Sequence, residues 1–402
     1  MRLASAFDSA VSAIGFMPPP ATRKVYRHRP PLTFLWLETP IVGVRELLNR
    51  SIAVSSVPKI RRLWDDCEMR IGLRADSSET TGAGHLMRQL TIAEYLVPLG
   101  VEVFLLSHIN GPHWLEHHVS QQIGLTLIET PEGNFDPELV EPLELDALLI
   151  DSYQLSQTEL DKLKAIVEVV GVMLDGPHQA LSGSIAFAPA FDQEAEWLDE
   201  ARGKFDQLYS GPEYFLLRRE VLSSRVSLPV RGNSDLQKRI LISLGGGESE
   251  VEADILRALL ELEVPVEIDI FFPPGDSLLM DITESNHTVR SHEKGAGFLD
   301  LVVGADVTIS GAGSVASELF YLGTSSIIVP VARNQYENAR SILRQQRGPV
   351  IWPDSPDFVK EVTAAVERTI NRDHSMPSGR MGVDGLGSMR IAKIMCPGLL
   401  PD

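Results

Sequence analysis

The stretch DVTISGAGSVASELFYLGTSSIIVP, Asp306 to Pro330, carries the pattern that decides the fold. A β-prone run, DVTIS, ends in the glycine turn Gly311–Gly313. A helix bearing Glu318 follows, then Leu322–Gly323, then a second β-prone run, SSIIVP. Short β runs joined through helices read as parallel βαβ units.

The same alternation extends upstream and downstream. RILISL runs into Gly245–Gly247 and the helical EVEADILRALLEL; VEIDIFF, HTVRSH and PVIWP read as further strands. An earlier series begins at Met69 with MRIGLRA. It continues through TGAGHLMRQLTIAEYLVPLG, where Leu86, Leu90, Ala93 and Leu96–Val97 have helical spacing. VEVFLL, a helix over 114–122, LTLIE, DALLIDSY, a helix from Ser156 to Val167 and VVGVMLD complete that series. Between the two lies VSLPVRGNS, whose Pro, Gly and Asn mark a hinge near Ser223 to Ser234. The expected architecture is α/β: two Rossmann-like parallel-sheet domains facing a cleft, over residues 69–228 and 235–372. Residues 1–68 are an appended N-terminal extension, and 373–402 a Gly-, Pro- and Met-rich tail whose role the pattern does not reveal.

Composition narrows the partners. With 402 residues, 44% hydrophobic and 23% charged, the chain is an ordinary globular one. Its net charge of −19 argues against nucleic acid, whose phosphates require clustered Lys and Arg. The charge is uneven: residues 1–68 carry ten Lys/Arg and six Asp/Glu, and the rest is strongly acidic. Cys67 and Cys396 have neither disulfide nor metal spacing, which fits a reducing, cytoplasmic setting. No signal peptide is legible, and no apolar run approaches the roughly 20 residues of a membrane span.

Three glycine turns follow strands and precede helices: TTGAGH (Thr80–His85), LGGGES (Leu244–Ser249) and SGAGSVASE (Ser310–Glu318). Glycine lets a backbone approach phosphate closely, and the next helix offers unpaired amides at a positive dipole end. Two such turns in one domain are hard to ascribe to chain geometry alone. None fits GxGxxG or GxxxxGK[ST], so a dinucleotide or ATP is a poor expectation. Glu318 is either a ribose acceptor or a solvated helix residue. Asn334 and Gln335, just past a strand, either bind ligand or cap the next helix. His113, His117 and His118 have i,i+4 spacing but no HExxH context, and read as an exposed helix face.

GAGSVASELFYLGTSSIIVPVARNQYENA resembles the nucleotide-binding motif of MurG-like GT-B glycosyltransferases. RADSSETTGAGHLMRQLTIAEYL is similar to the opening of the UDP-2,4-diacetamido-2,4,6-trideoxy-β-L-altropyranose hydrolases of pseudaminic acid biosynthesis, a family that includes spore-coat polysaccharide proteins. IDSY, SGPEYFLLRREV and ISLGGGES match in order, so the resemblance spans about Met69 to Ile370. It implies a hydrolase that removes UDP from the anomeric carbon of a modified sugar, without metal or organic cofactor. His85 is then the base that activates water. Arg74, Asp76, Gly82, Gly84, Tyr153 and Asn334 are expected around the sugar. Gly245, Gly246, Gly311, Gly313, Ser314, Glu318 and Gln335 are expected around the nucleotide. Two departures stand out: Asp175 is followed by Gly176 where the family has a second aspartate, and GSIAFAPAF lacks the family's asparagine. Two further readings therefore stay open, an inverting glycosyltransferase and a nucleotide-sugar-binding protein without turnover. FDSAVSA, Phe7 to Ala13, faintly resembles a strand of sugar-nucleotide cytidylyltransferases; a remnant, or a start at Met69, explains the extension equally well.

Overall fold

The computed structural model describes residues 69–78, 82–111, 113–176, 181–224, 237–245, 250–271, 276–293, 297–371 and 382–399. The extension, most of the hinge and Gly246 lie outside the described residues.

Seven strands form the first sheet: β1 (Arg70–Ala75), β2 (Glu102–Ser107), β3 (Leu125–Glu129), β4 (Ala147–Asp151), β5 (Val169–Met173), β6 (Ile185–Ala188) and β7 (Gln207–Ser210). Their spatial order is β3-β2-β1-β4-β5-β6-β7, and every pair is parallel. Five more form the second: β8 (Lys238–Ser243), β9 (Val266–Ile270), β10 (Thr288–Ser291), β11 (Val307–Ser310) and β12 (Ser326–Ile328). Their order is β10-β9-β8-β11-β12, again parallel throughout. Central strands such as Ile71–Ala75 and Ala147–Asp151 are buried along their whole length, as strands covered by helices on both faces must be.

In each sheet the order reverses once, between β1 and β4 and between β8 and β11. Such switch points open a crevice beyond the carboxyl ends of the strands. The turn containing Gly82 and Gly84 leaves the first switch point, and those at Gly245 and Gly311–Gly313 leave the second.

Two expectations need correction. PVIWP is not a ladder strand: Val350 makes a single bridge to Ile328, because the chain turns away at Pro353. Conversely, β6 and β7 went unread, each being too short to display a period. The helix expected over Ser156–Val167 is Gln157–Lys164, where Ser156 and Glu159 form a reciprocal capping box.

The tail also has a place. Its helix, Gly387–Met395, leaves the second domain and packs on the first. Ile391, Ala392 and Met395 join Leu86, Leu90 and Ala93 of the Gly84–Leu96 helix in one core. A second tie is apolar: Phe191, Phe215 and Val221 share a core with Leu241 and Phe320, the Phe191 and Phe320 rings lying edge to face at 5.2 Å.

Candidate active site

The helix Gly84–Leu96 starts at the first switch point, so its first turn presents His85 and Arg88 to the ends of β4 and β5. β4 ends in Asp151 and β5 is followed by Asp175. Arg88 bridges the two carboxylates. Its Nε and Nη2 donate to Asp151 at 2.8 and 2.7 Å, Nη2 also to Asp175 at 2.9 Å, and Nη1 to the other Asp175 oxygen. Burial alone would favour neutral Arg88; the charges of Asp151 and Asp175 outweigh it and raise its pKa well above the ordinary value. For Asp175, burial pushes upward, but Arg88 and then His85 hold its carboxyl far below the usual range.

His85 sits between these acids, only 7% exposed, with Nδ1 4.0 Å from Asp151 Oδ1 and Nε2 3.6 Å from Asp175 Oδ2. Neither distance is a hydrogen bond, so the ring is flanked by negative charge while its nitrogens keep room for another partner. Tyr153 packs edge-on against the imidazole, with centroids 4.6 Å apart. Its hydroxyl donates to Asp175 at 2.8 Å and accepts from Asn334 Nδ2 at 3.1 Å. Desolvation and then the Asp175 charge push the phenol's pKa up, so it stays protonated. The Asn334–Tyr153 bond joins the second domain to the first directly at His85.

At the second switch point the glycine turn is gripped from outside. Gln335 Oε1 accepts from the amides of Ala312 and Val331, both at 3.1 Å, and Asn338 Nδ2 donates to the Ala312 carbonyl at 3.1 Å. A Cβ on Gly311 would lie 2.5 Å from the Leu244 carbonyl and 2.9 Å from Gln335 Oε1, so only glycine fits. Gly313 caps the helix Ser314–Leu322, whose first amides have no partner within the helix. Ser314 is exposed there, and Gly245 takes φ +132° at the end of the neighbouring strand. Glu318, one turn on, is 5% exposed; Arg218 Nε and Nη2 donate to its two oxygens, both at 2.7 Å.

The expected site residues thus divide. His85, Tyr153 and Asn334 come together in one network; Gly311, Gly313, Ser314, Glu318 and Gln335 surround the other turn. Gly82, at φ +70°, and Gly84 both lie in the loop leading to His85, with open space where a side chain would project. Arg74 and Asp76, expected around the sugar, are bonded to one another and to neighbouring loops. Arg74 is 3% exposed and pairs with Asp76 through both terminal guanidinium nitrogens while lying over the Phe135 ring at 4.9 Å. Asp76 also accepts from the amides of His108 and Gly133 at 2.7 and 2.9 Å. Their polar capacity goes to pinning the loops after β2 and β3. Reading from sequence missed Arg88, Asp151, Asp175 and Arg218 as site residues. Charged residues at the ends of buried strands, in LLID and VMLD, were the available signal, together with Arg88 three residues after His85 on one helix face.

No family model matches the chain. Among curated proteins it is 25% identical over 268 residues to the pseudaminic acid cytidylyltransferase and UDP-2,4-diacetamido-2,4,6-trideoxy-β-L-altropyranose hydrolase of Helicobacter pylori, covering 66% of this chain and 45% of that one. It is 20% identical over 281 residues to an uncharacterised protein of Methanocaldococcus jannaschii, covering 65% and 55% respectively. The chain therefore spans about half the length of the curated relatives it matches. Among solved structures it is similar to MurG of Acinetobacter baumannii: 15% identity, 81% of this chain, 99% of that one, TM-score 0.56. It is also similar to Arabidopsis thaliana UGT89C1 complexed with UDP: 11% identity, 83% and 96% coverage, TM-score 0.53. The fold is GT-B. In this GT-B scaffold the two switch points face one cleft, bridged by Asn334 and Tyr153.

Proposed function

We propose that the protein cleaves a UDP-linked, modified sugar at its anomeric carbon, with water as acceptor and UDP as leaving group. One observation carries this reading: His85 is held between two carboxylates at the first switch point, and Asn334 of the second domain bonds Tyr153, which packs on its ring. A water hydrogen-bonded to His85 gives up its proton to the imidazole as its oxygen attacks the anomeric carbon. Asp151 and Asp175 stabilise the imidazolium that results, and Arg88 keeps both carboxylates in place. Departing UDP carries its negative charge to the amides that open the Ser314 helix. The Helicobacter pylori relative bears this activity in its name, and the resemblance through IDSY and SGPEYFLLRREV points the same way.

The test is incubation with a panel of UDP-sugars, including acetamido-deoxy sugars, in ¹⁸O-labelled water. UDP release with the label on the sugar's C1 is the expected result; a label on UDP, or no turnover, overturns it. His85→Ala should lose about 10²–10⁴-fold in turnover while retaining UDP affinity.

One observation favours a second reading, transfer to a carbohydrate acceptor. A cavity of about 540 Å³ opens beyond β2 and β3, lined by Ser107, His108, Glu116, His117, Glu129 and Thr130. UDP release that requires an added acceptor would select this reading over hydrolysis.

A further inference from the structure

We infer that Arg218 is a positioning residue for the nucleotide's ribose, holding Glu318 in the orientation that accepts the 2′- and 3′-hydroxyls. The inference rests on the UDP reading and adds a residue that neither motif nor resemblance assigns.

Arg218 lies in the first domain's last segment, after β7 and directly before the helix Arg219–Ser224 that precedes the connection to the second domain. Its guanidinium nevertheless reaches into the second domain. Nε and Nη2 meet Glu318 in parallel at 2.7 Å each, a fork geometry that fixes the plane of the carboxylate. The guanidinium is fixed in turn: Nη1 donates to Glu220 Oε1 at 2.6 Å, and the group lies over the Phe298 ring at 5.2 Å. The backbone beside it is tied to the first domain, since the Arg219 amide donates to Glu94 Oε2, on the Gly84–Leu96 helix, at 3.3 Å. An unbroken chain of contacts thus runs from the helix carrying His85 to Glu318.

A carboxylate has about four acceptor sites, and Arg218 uses one on each oxygen. What is left on each oxygen suits one hydroxyl of a cis-diol. The pairing also removes the cost of presenting an isolated buried carboxylate beside a diphosphate. A lysine would neutralise Glu318 but could not fix its plane.

The experiment compares binding of UDP and 2′-deoxy-UDP to the unaltered protein, Arg218→Lys and Arg218→Met, by calorimetry. Hydrogen bonds to a charged group imply about a ten- to hundredfold preference of the unaltered protein for UDP. Both variants should lose most of that preference by weakening on UDP while changing little on 2′-deoxy-UDP. A purely structural Arg218 would weaken both ligands equally; preserved discrimination in Arg218→Lys, which keeps the charge, overturns the inference while leaving the nucleotide site standing. Absence of UDP binding to the unaltered protein overturns the nucleotide reading, and this inference with it.

Discussion

Arg88→Met is the sharpest test of the cluster around His85. The guanidinium makes four hydrogen bonds to two carboxylates, and the three side chains are only 15%, 3% and 16% exposed. Methionine has similar length and no charge, so the main effect is to leave Asp151 and Asp175 buried together without their cation. Removing one partner of a buried ionic group costs about 3–5 kcal/mol, and that is the loss expected at pH 7.5. The loss should depend on pH, and its sign follows from linkage. In the unaltered protein Asp175 has a folded pKa below its unfolded value of about 3.9, so its contribution is complete above that pH and fades only on acidification below it. In the variant Asp175 keeps its burial and its neighbouring carboxylate but loses Arg88, so its folded pKa rises above the unfolded one. Stability is then regained as pH falls toward about 4, because the folded state takes up protons first. Urea denaturation at pH 7.5 and 5.0 should show the gap between the two proteins narrowing. Adding Asp175→Asn to Arg88→Met should restore about 1 kcal/mol or more at pH 7.5, since only one unpaired charge is left. A loss under about 1 kcal/mol, or a gap that does not change with pH, would refute the assignment of Arg88 as the cation that holds the acids together.

Two other substitutions probe the scaffold. Gly311→Ala places a methyl against the Leu244 carbonyl, which cannot move aside, so the turn must shift; about 1–3 kcal/mol of stability and most UDP affinity should be lost, and unchanged affinity in a titration would show that the turn does not shape the site. Met395→Ala removes a fully buried side chain that links the tail helix to the first domain, where its sulfur lies 2.6 Å from the position a Gly171 Cβ would take. A loss of about 2–5 kcal/mol in chemical denaturation is expected, and a loss below about 1 kcal/mol would mean the helix is not part of that core.

The sequence was most readable where one physical signal acted locally. Runs such as VEVFLL and ALLID are strands because a parallel sheet covered on both faces needs continuous apolar segments, and the glycine turns fall where backbone must approach closely. β6 and the tail helix were opaque for opposite reasons. IAFA is too brief to show a period, and the apolar face of Gly387–Met395 finds its partner some 300 residues away in the chain, which no local pattern encodes. The site shows the same division. His85 and the Gly311 turn announce themselves by motif, but a motif does not say which neighbours a side chain meets. Arg74 and Asp76 sit in a matching stretch and yet serve the loops after β2 and β3. Arg88 acquires its role only when β4 and β5 bring Asp151 and Asp175 beside it.

The proposed reaction would require so acidic a chain to present one site to a diphosphate. Around His85, two carboxylates and one guanidinium leave a net negative charge when the imidazole is neutral. That negative surrounding is a poor place for phosphate. The second domain supplies the opposite environment. Among the described residues its glycine turn is gripped by Gln335, a neutral amide, and Glu318 is paired with Arg218. Helix amides at Ser314 can then act on an anion. In the proposed reaction the domains have complementary tasks, proton removal on one side of the anomeric carbon and acceptance of a departing anion on the other. The Asn334–Tyr153 bond ties the two environments together while Asp175, one hydrogen bond further on, fixes its distance from the base. Weakening that link by Asn334→Ala should therefore reduce turnover more than UDP affinity; an equal loss in both would place Asn334 on the nucleotide rather than between the domains.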